Sequence, residues 1–306
     1  MGPVGVLHML IRRLQMSGDH VNVTSFFDEP TNTVTYVLTD AGSNKSAIID
    51  PVLDYNHNSG RTDTKSADEV IDYVCTHGLN VEFLLETHVH ADHLSAAPYL
   101  KNKLGGKIVI GNQIETVQKV FAQLFHAEPD FDTHGRQFDM LVDEGDELTL
   151  GSSKIKVMHT PGHTPACLTY LVNDVVAFVG DTLFMPDFGT ARCDFPGGDA
   201  RQLYRSIQRI LALPEDTKLY LCHDYKAPGR DEYVWETTVK EQREANIHVH
   251  NGVSEDEFVQ MRTRRDAGLD MPRLLFPSVQ VNMRAGELPP AEGNGVQYLK
   301  IPLNAV

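Results

Sequence analysis

The sequence contains few cysteines, and these are scattered along the chain. Among 306 residues there are four, Cys75, Cys167, Cys193 and Cys222, with no C-x-x-C pair. This spacing is typical neither of a disulfide framework nor of a zinc finger. A reducing compartment accommodates such cysteines most simply, so we expect a cytoplasmic, bacterial-like protein.

Long apolar runs and an excess of positive charge are also missing. No stretch approaches the roughly 20 apolar residues that a membrane-spanning helix needs, so we expect no membrane association. The formal net charge of −15 argues against nucleic acid as the main partner, because an acidic surface repels phosphates. An anionic substrate would need local positive charge, so any arginine near an active site gains interest.

What the chain does contain is an alternation of strand-like and helix-like segments. β-branched and aromatic residues predict the strands, and apolar residues at helical spacing predict the helices. Asn173-Asp174 predicts a hairpin turn, and Ser254 with Glu257 predicts a capping box. The predicted strands are 33–39, 46–49, 81–85, 107–110, 154–158, 167–172, 175–179 and 219–221, and the predicted helices are 66–77, 113–125, 199–212, 231–245 and 254–267.

One α/β domain with a C-terminal extension fits this pattern better than two independent domains. The apolar part of residues 1–20 is short and has no small-residue cleavage site, which predicts a flexible leader rather than a signal peptide. We expect a catalytic domain over 21–246. Residues 247–306 would form an extension packed on the same domain, ending in an extended tail rich in Pro and Gly.

The strongest chemical signal is the run HVHADH at residues 88–93, directly after a predicted buried strand. Imidazole and carboxylate are the ligands of zinc, iron and manganese, although a polar His-rich loop is the alternative. Three further candidates follow predicted strands, where a lone polar residue is more often a cap or turn former. Four such strand ends together predict a metal site, with the candidate ligands His88, His90, Asp92, His93, His163, Asp181 and His223.

The motifs H-x-H-x-D-H, T-P-G-H-T, G-D-T and a late histidine, in this order, resemble the metallo-β-lactamase superfamily. The resemblance covers residues 24–225 and implies an αββα sandwich with the metal site at one edge of two packed sheets. It implies two metal positions that share Asp181. The first would be surrounded by His88, His90, His163 and Asp181, and the second by Asp92, His93, His223 and Asp181.

Two function classes remain open at this point, because both retain these ligands. Two zinc ions would make a hydrolase with a bridging hydroxide, as in glyoxalase II, a glutathione thioester hydrolase. One iron held by two histidines and a carboxylate would leave open positions for substrate and O₂. A redox-sensing or scaffold protein with a degenerate site is the third reading, and the complete ligand set counts against it.

The sequence around the ligands resembles the persulfide dioxygenases, also called sulfur dioxygenases. The similar segments are residues 49–52 (IDPV), 86–93 (ETHVHADH), 189–195 (GTARCDF), 223–225 (HDY) and 277–284 (PSVQVNMR). The resemblance implies oxidation of glutathione persulfide by O₂ and water to sulfite and glutathione. It also implies one Fe(II) per chain on His88, His163 and Asp181, with the other four candidates orienting ligands and tuning the metal.

Candidate substrate contacts follow from the same resemblance. Arg192 is the leading one, because it follows Asp181 by eleven residues and can pair a glutathione carboxylate bidentately; a surface salt bridge is the alternative. Tyr225 could hydrogen-bond substrate, and both residues are also candidate catalytic groups. Arg284 is a weaker substrate contact. Cys193, where the family often has Thr, is expected to be an inert thiol rather than a persulfide carrier.

Two further expectations concern partners and the pocket. Homodimers are common in the resembling family, so the resemblance allows a homodimer here, but no interface can be read from the sequence. The segment 228–250 is longer than in the shorter family members and would reshape the substrate pocket.

Overall fold

The structure, a computed structural model, describes residues 12–14 and 21–305. The strands are β1 (Arg12–Leu14), β2 (Val21–Asp28), β3 (Thr33–Asp40), β4 (Lys45–Ile49), β5 (Val52–Asn56), β6 (Arg61–Asp63), β7 (Asn80–Leu85), β8 (Leu94–Ser95), β9 (Lys107–Gly111), β10 (Met140–Val142), β11 (Glu147–Leu150), β12 (Ser153–His159), β13 (Leu168–Val172), β14 (Val176–Phe178), β15 (Lys218–Tyr220) and β16 (Glu236–Thr238). The helices are α1 (Lys65–Thr76), α2 (Ala97–Leu104), α3 (Ile114–Leu124), α4 (Ala200–Leu211), α5 (Val239–Ala245), α6 (Glu255–Asp266) and α7 (Leu275–Asn282).

Two large sheets organise these strands. The first has the order β1-β2-β3-β4-β7-β9-β10, the second β11-β12-β13-β14-β15-β16, and a small third sheet has the order β6-β5-β8. Within the first sheet β4, β7, β9 and β10 run parallel to one another, and in the second β14 is parallel to β15. Parallel neighbours bring several strand ends to the same edge of the molecule.

Alternation along the strands builds three apolar layers. On β3, Tyr36 packs between the two sheets, whereas its neighbour Val37 joins the core under α1, α2 and α3. On β13, Tyr170 faces the first sheet and Leu171 faces the layer of α4, α5 and α6. Successive side chains of a strand point to opposite faces of the sheet, so each of the two large sheets has both of its faces buried. The predicted α/β fold, an αββα sandwich, is confirmed.

The strand at β16 corrects the predicted helix over 231–245. Glu236–Thr238 pairs antiparallel with β15, and only Val239–Ala245 is helical. The Thr238 side chain accepts a hydrogen bond from the Glu241 backbone and completes a capping box, which starts the helix at that point. β-branched threonines before the cap favour the extended edge strand.

Helix α7 corrects the expected extended tail. Its residues Val279 and Val281 are fully buried, and the helix packs against β8. Pro277 does not interrupt this helix, because it lies in the first turn, where a missing backbone N–H costs no helical hydrogen bond. Helix α6 was predicted, and its capping box of Ser254 and Glu257 is confirmed.

Other local features bear on the remaining predictions. Asn173 and Asp174 both have positive φ, 49° and 60°, as the predicted hairpin requires. Arg12–Leu14 of the predicted flexible leader pairs with β2 instead, while the other leader residues lie outside the described part of the chain. Over the described residues no helix has the length and apolarity needed to cross a membrane. The boundary at residue 246 stays a prediction.

Candidate metal centre

The seven candidate ligands lie on loops from both sheets at one edge of the sandwich. Residues 88–93 follow β7 of the first sheet, and His163 lies between the antiparallel strands β12 and β13. Asp181 and His223 follow the parallel neighbours β14 and β15, whose carboxyl ends are side by side. All seven side chains are buried except that of Asp92, which is 24% exposed.

His88, His163 and Asp181 surround one position. Oδ2 of Asp181 lies 3.8 Å from Nε2 of His88 and 3.6 Å from Nε2 of His163. Ligand atoms about 2.1 Å from a shared metal lie roughly 3 to 3.6 Å apart, so this spacing is only slightly wider than a bound ion requires. The three atoms fit one metal.

The Nδ1 atoms of His88 and His163 are already in contact with other protein groups. Nδ1 of His163 donates to the carbonyl of Arg192 at 2.7 Å, and Nδ1 of His88 lies 3.0 Å from Oγ1 of Thr87. Nε2 of His88 is buried without a hydrogen-bond partner. A buried nitrogen with no partner is costly unless a metal or water satisfies it, which supports a metal at this position.

A second group, His90, Asp92, His93 and His223, lies beside the first. Nδ1 of His90 and Nε2 of His93 are buried without a partner. Nε2 of His223 is likewise buried without a hydrogen-bond partner, although it lies 2.7 Å from Oδ2 of Asp92 and 3.3 Å from Oδ1 of Asp181. The second group therefore has metal-ligating atoms, but two of them are in contact with each other.

Burial and neighbouring charges divide these histidines into two electrostatic classes. Burial, with His90 nearby, lowers the pKa of His88 well below its usual value and that of His93 to about 4. Burial alone would lower the pKa of His223, but Asp92 and Asp181 raise it to about 9. A lowered pKa favours the neutral form of His88 and His93, which is the form that binds a metal, whereas Asp92 and Asp181 favour the protonated form of His223.

Two buried carboxylates orient His90. Its Nε2 lies 3.0 Å from Oδ1 of Asp50 and 3.3 Å from Oε2 of Glu86, and Asp50 also accepts the Thr87 N–H at 2.7 Å. Burial alone would lower the pKa of His90, but Asp50 and Glu86 raise it well above its usual value. Carboxylates on the far nitrogen hold such a ring in place. Asp50 follows β4, so the strand-end criterion could have identified it.

Helix α6 holds the loop behind His163. Asp266 accepts the Cys193 N–H at 2.9 Å, and Arg262 donates to the Thr190 carbonyl at 3.1 Å. Arg262 and Asp266 are themselves paired at 2.6 Å and buried. Since Arg192 in this loop accepts from His163, α6 fixes a ligand from behind. Sequence analysis assigned no role to Arg262 or Asp266, and nothing in their spacing signals one.

Helix α7 holds the 88–93 loop through one side chain. Nδ2 of Asn282 donates to the carbonyls of His90 at 2.9 Å and His93 at 2.8 Å. Its Oδ1 accepts the Ser95 N–H at 2.8 Å. The C-terminal segment therefore contributes directly to the geometry of the metal centre.

A cavity of about 370 Å³ opens beside Asp92, His163 and Asp181, within the usual size for a small-ligand pocket. Arg192 and Tyr225 both line it. Arg192 is paired with Asp194 at 2.6 Å and donates to the Asp270 carbonyl at 2.7 Å. Tyr225 stacks on His223 with ring centroids 5.6 Å apart.

Arg284 does not reach this cavity. It lines a different one, where it pairs with Glu128 at 2.7 Å and lies over the ring of Phe131. Its position in the segment after α7, with the side chain directed at the Gln280 carbonyl, accounts for this. The expectation that Arg284 contacts substrate beside the metal is corrected.

Cys193 is buried and forms no disulfide. Burial raises the pKa of its thiol far above the usual value, so it stays protonated and a poor nucleophile.

Comparison with known proteins shows which family the chain belongs to. Residues 28–223 match the family described as Metallo-beta-lactamase superfamily. The chain belongs to the metallo-beta-lactamase superfamily. The seven candidate ligands predicted an enzyme with a metal site, and membership of this superfamily agrees with that prediction.

The similar proteins carry hydrolase, glyoxylase and persulfide dioxygenase names. A probable metallo-hydrolase of Burkholderia pseudomallei is 59% identical over 94% of this chain and 100% of its own length. Glyoxylase B2 of Dictyostelium discoideum is 51% identical over 88% of this chain and 92% of its own length. The mitochondrial persulfide dioxygenase ETHE1 of Mus musculus is 31% identical over 94% of this chain and 98% of its own length. The solved structure of ETHE1 from Myxococcus xanthus has a TM-score of 0.67 and 28% identity, covering 91% of this chain and 100% of its own.

Proposed function

We propose that this protein is a non-haem iron persulfide dioxygenase. It would convert glutathione persulfide, O₂ and water into glutathione and sulfite, with release of two protons. One observation carries the proposal: His88, His163 and Asp181 spread around one metal position, while Asp92 and His223 close on each other at 2.7 Å.

The closed pair favours one metal rather than two. Two ligand atoms 2.7 Å apart leave less room for a shared ion than the 3.6 and 3.8 Å spacings of the first position. The first position itself is formed by two histidines and one carboxylate, His88, His163 and Asp181, which is the ligand set of non-haem iron oxygenases.

Fe(II), when bound, would supply the redox chemistry that joins O₂ to the terminal persulfide sulfur. The chain's own groups orient and shield that chemistry. The Arg192 carbonyl fixes His163, and Asp50 with Glu86 holds His90 against the centre. Phe184, Phe188 and Tyr225 form an aromatic wall of the cavity that limits access of bulk water.

Tyr225 and Arg192 keep distinct proposed roles. Tyr225 is 39% exposed at the cavity, so its hydroxyl can donate to a substrate atom while its ring supports His223. Arg192 is neutralised by Asp194, and its backbone carbonyl serves the metal centre. The persulfide dioxygenase relatives at 31% and 28% identity and the segments of sequence around the ligands support this proposal.

A second candidate is a dizinc thioester hydrolase of the glyoxalase II kind. The unpartnered Nδ1 of His90 and Nε2 of His93 favour it, because they are directed at a second metal position. The relatives named as metallo-hydrolase and glyoxylase, at 59% and 51% identity, also favour it.

Metal exchange separates the two. Metal-free protein is reconstituted with Fe(II) or with Zn(II), and each form is assayed for O₂ uptake with glutathione persulfide and for hydrolysis of S-lactoylglutathione. We expect O₂ uptake and sulfite from the iron form alone, with little hydrolysis by either form. Efficient thioester hydrolysis by the zinc form, with no O₂ uptake by the iron form, would overturn the proposal.

A further inference from the structure

The cavity beside the metal centre concentrates arginine in an acidic protein. With a net charge of −15 overall, the chain places Arg192, Arg262, Arg265 and Arg273 in its lining. Local positive charge in a cleft attracts anionic ligands even when the whole molecule is negative. The lining therefore selects for a negatively charged substrate.

Two of these four arginines are already neutralised. Arg192 pairs with Asp194, and buried Arg262 pairs with Asp266 at 2.6 Å. Both hold the loop behind His163, as described above. Their guanidinium groups are occupied with structure and are poorly placed to take a substrate carboxylate as well.

The other two have no carboxylate partner among the described residues. Arg265 lies in the last turn of α6 and is exposed. Arg273 is also exposed, and its Nη2 donates only to the Pro30 carbonyl, at 3.2 Å. An exposed arginine near a helix C-terminus has an ordinary explanation in the helix dipole, and Arg264 meets that description equally well. Arg265 differs from Arg264 because it lines the cavity.

The connection between α6 and α7 forms part of the cavity wall. Its residues Leu269, Pro272 and Leu274 line the cavity, and the Asp270 carbonyl accepts from Arg192. That hydrogen bond fastens the connection to the loop behind His163. Arg265 and Arg273 are therefore held at the same cavity as the metal ligands His163 and Asp181.

We infer that Arg265 and Arg273 recognise the carboxylate groups of a peptide thiol whose sulfur end is directed to the metal centre. This inference rests on the proposed function, since it names the part of the substrate that the metal does not contact. A guanidinium pairs a flat carboxylate through two parallel hydrogen bonds. The role of anchoring substrate thus passes from Arg192 to the two uncompensated arginines.

Carboxylate fits this lining better than phosphate does. Among the described residues that line the cavity there is no glycine and no lysine, which phosphate sites commonly use. Arg265 is at the C-terminal end of α6, where the helix dipole disfavours anions. Recognition must come from the side chains themselves.

Binding of S-methylglutathione, which carries no free thiol, tests the inference without turnover. Affinity is measured by calorimetry on the iron-loaded protein without O₂, for wild type, Arg265→Gln, Arg273→Gln and the control Arg264→Gln. We expect each cavity variant to weaken binding by about 5- to 10-fold and Arg264→Gln to leave it unchanged. The dimethyl ester of S-methylglutathione should bind the wild type weakly and without dependence on either arginine.

Other outcomes would overturn it. Wild-type affinity in both cavity variants, or equal loss in Arg264→Gln, would mean that the two arginines do not anchor the ligand. Tighter, arginine-dependent binding of S-methyl-coenzyme A would assign the site to phosphate instead. If the wild type consumes O₂ with persulfide while the variants bind normally, only this inference fails. If binding depends on the arginines but no O₂ is consumed, only the proposed function fails.

Discussion

At the scale of single residues, the contacts of the two ring nitrogens indicate whether a histidine can bind a metal. One nitrogen contacts other protein groups, and the other is then left for the metal. His163 donates Nδ1 to a backbone carbonyl, so Nε2 is left with a lone pair for a metal. His90 has Nε2 against two carboxylates, which leaves Nδ1 directed inward. His223 has the Asn32 carbonyl 3.1 Å from Nδ1, and its buried Nε2 lies 2.7 Å from Oδ2 of Asp92 without a hydrogen bond.

Single substitutions should therefore separate iron ligands from supporting residues. Asp181→Ala and His163→Ala each remove one of three ligands, and we expect iron content below about a tenth of the wild-type value. Asp92→Ala removes contacts with His223 and His93 but none of the three proposed iron ligands, so it should retain measurable iron. Elemental analysis of each purified variant provides the measurement.

The exposed His134 supplies a matched control, since it lies outside the centre with a side chain 61% exposed. His134→Ala should keep the full iron content. Complete loss of iron in Asp92→Ala would contradict the assignment to one metal and favour a second position.

At the scale of elements, the C-terminal helices complete the centre from outside the motif-bearing loops. Helix α7 carries Asn282, whose amide bridges two carbonyls of the 88–93 loop and one N–H at Ser95. Helix α6 holds the loop behind His163 through Arg262 and Asp266. Neither contact is local in sequence.

Two variants of Asn282 distinguish its donors from its acceptor. Asn282→Asp keeps an acceptor for Ser95 but loses both donors to the loop, whereas Asn282→Ala loses all three hydrogen bonds. We expect unfolding free energies lower by roughly 2 to 4 kcal/mol, and weaker Fe(II) binding in both variants. Urea unfolding and anaerobic iron titration provide the two readouts, and wild-type iron affinity in both variants would show that α7 does not position the loop.

Asp40 joins the end of β3 to the turn between β11 and β12, and it should make stability depend on pH. Burial alone would raise its pKa, but hydrogen bonds from Ser153, Ser43 and Ser152 lower it to about 2. A lowered carboxyl pKa stabilises the fold above the unfolded-state value near 4, and that contribution is lost as the pH falls toward 2.

The comparison with Asp40→Asn isolates this contribution. Urea unfolding of both proteins from pH 7 to pH 2 should show a constant wild-type advantage above about pH 4. The advantage should shrink steadily between pH 4 and 2. A difference that does not change across that window would mean that the Asp40 charge is not what stabilises the turn.

At the scale of the whole molecule, local patterns predicted an α/β domain and the candidate ligands, and the resemblance to the superfamily implied the sandwich. β-branched and aromatic residues in strands, and polar residues after buried strands, are local signals, whereas parts that depend on distant contacts were not predicted. The helix predicted over 231–245 was wrong because β16 exists only by pairing with β15. Helix α7 was missed because the Pro- and Gly-rich composition of the C-terminal segment predicted an extended tail, whereas α7 is held by its packing on β8.

The lining of the cavity beside the metal centre also depends on contacts between distant residues, which the sequence does not reveal. Arg192 was singled out from its distance along the chain after Asp181, but its pairing with Asp194 depends on how the loop folds. Arg265 and Arg273 come from a segment that the sequence presented as an extension. Only the packing of α6 and its following connection brings them to the metal centre.

The metal content of protein purified without added metal tests the central claim most directly. The geometry of His88, His163 and Asp181, with Asp92 and His223 paired, predicts one iron per chain and O₂ uptake with glutathione persulfide. Two zinc ions per chain, with thioester hydrolysis and no O₂ uptake, would contradict it.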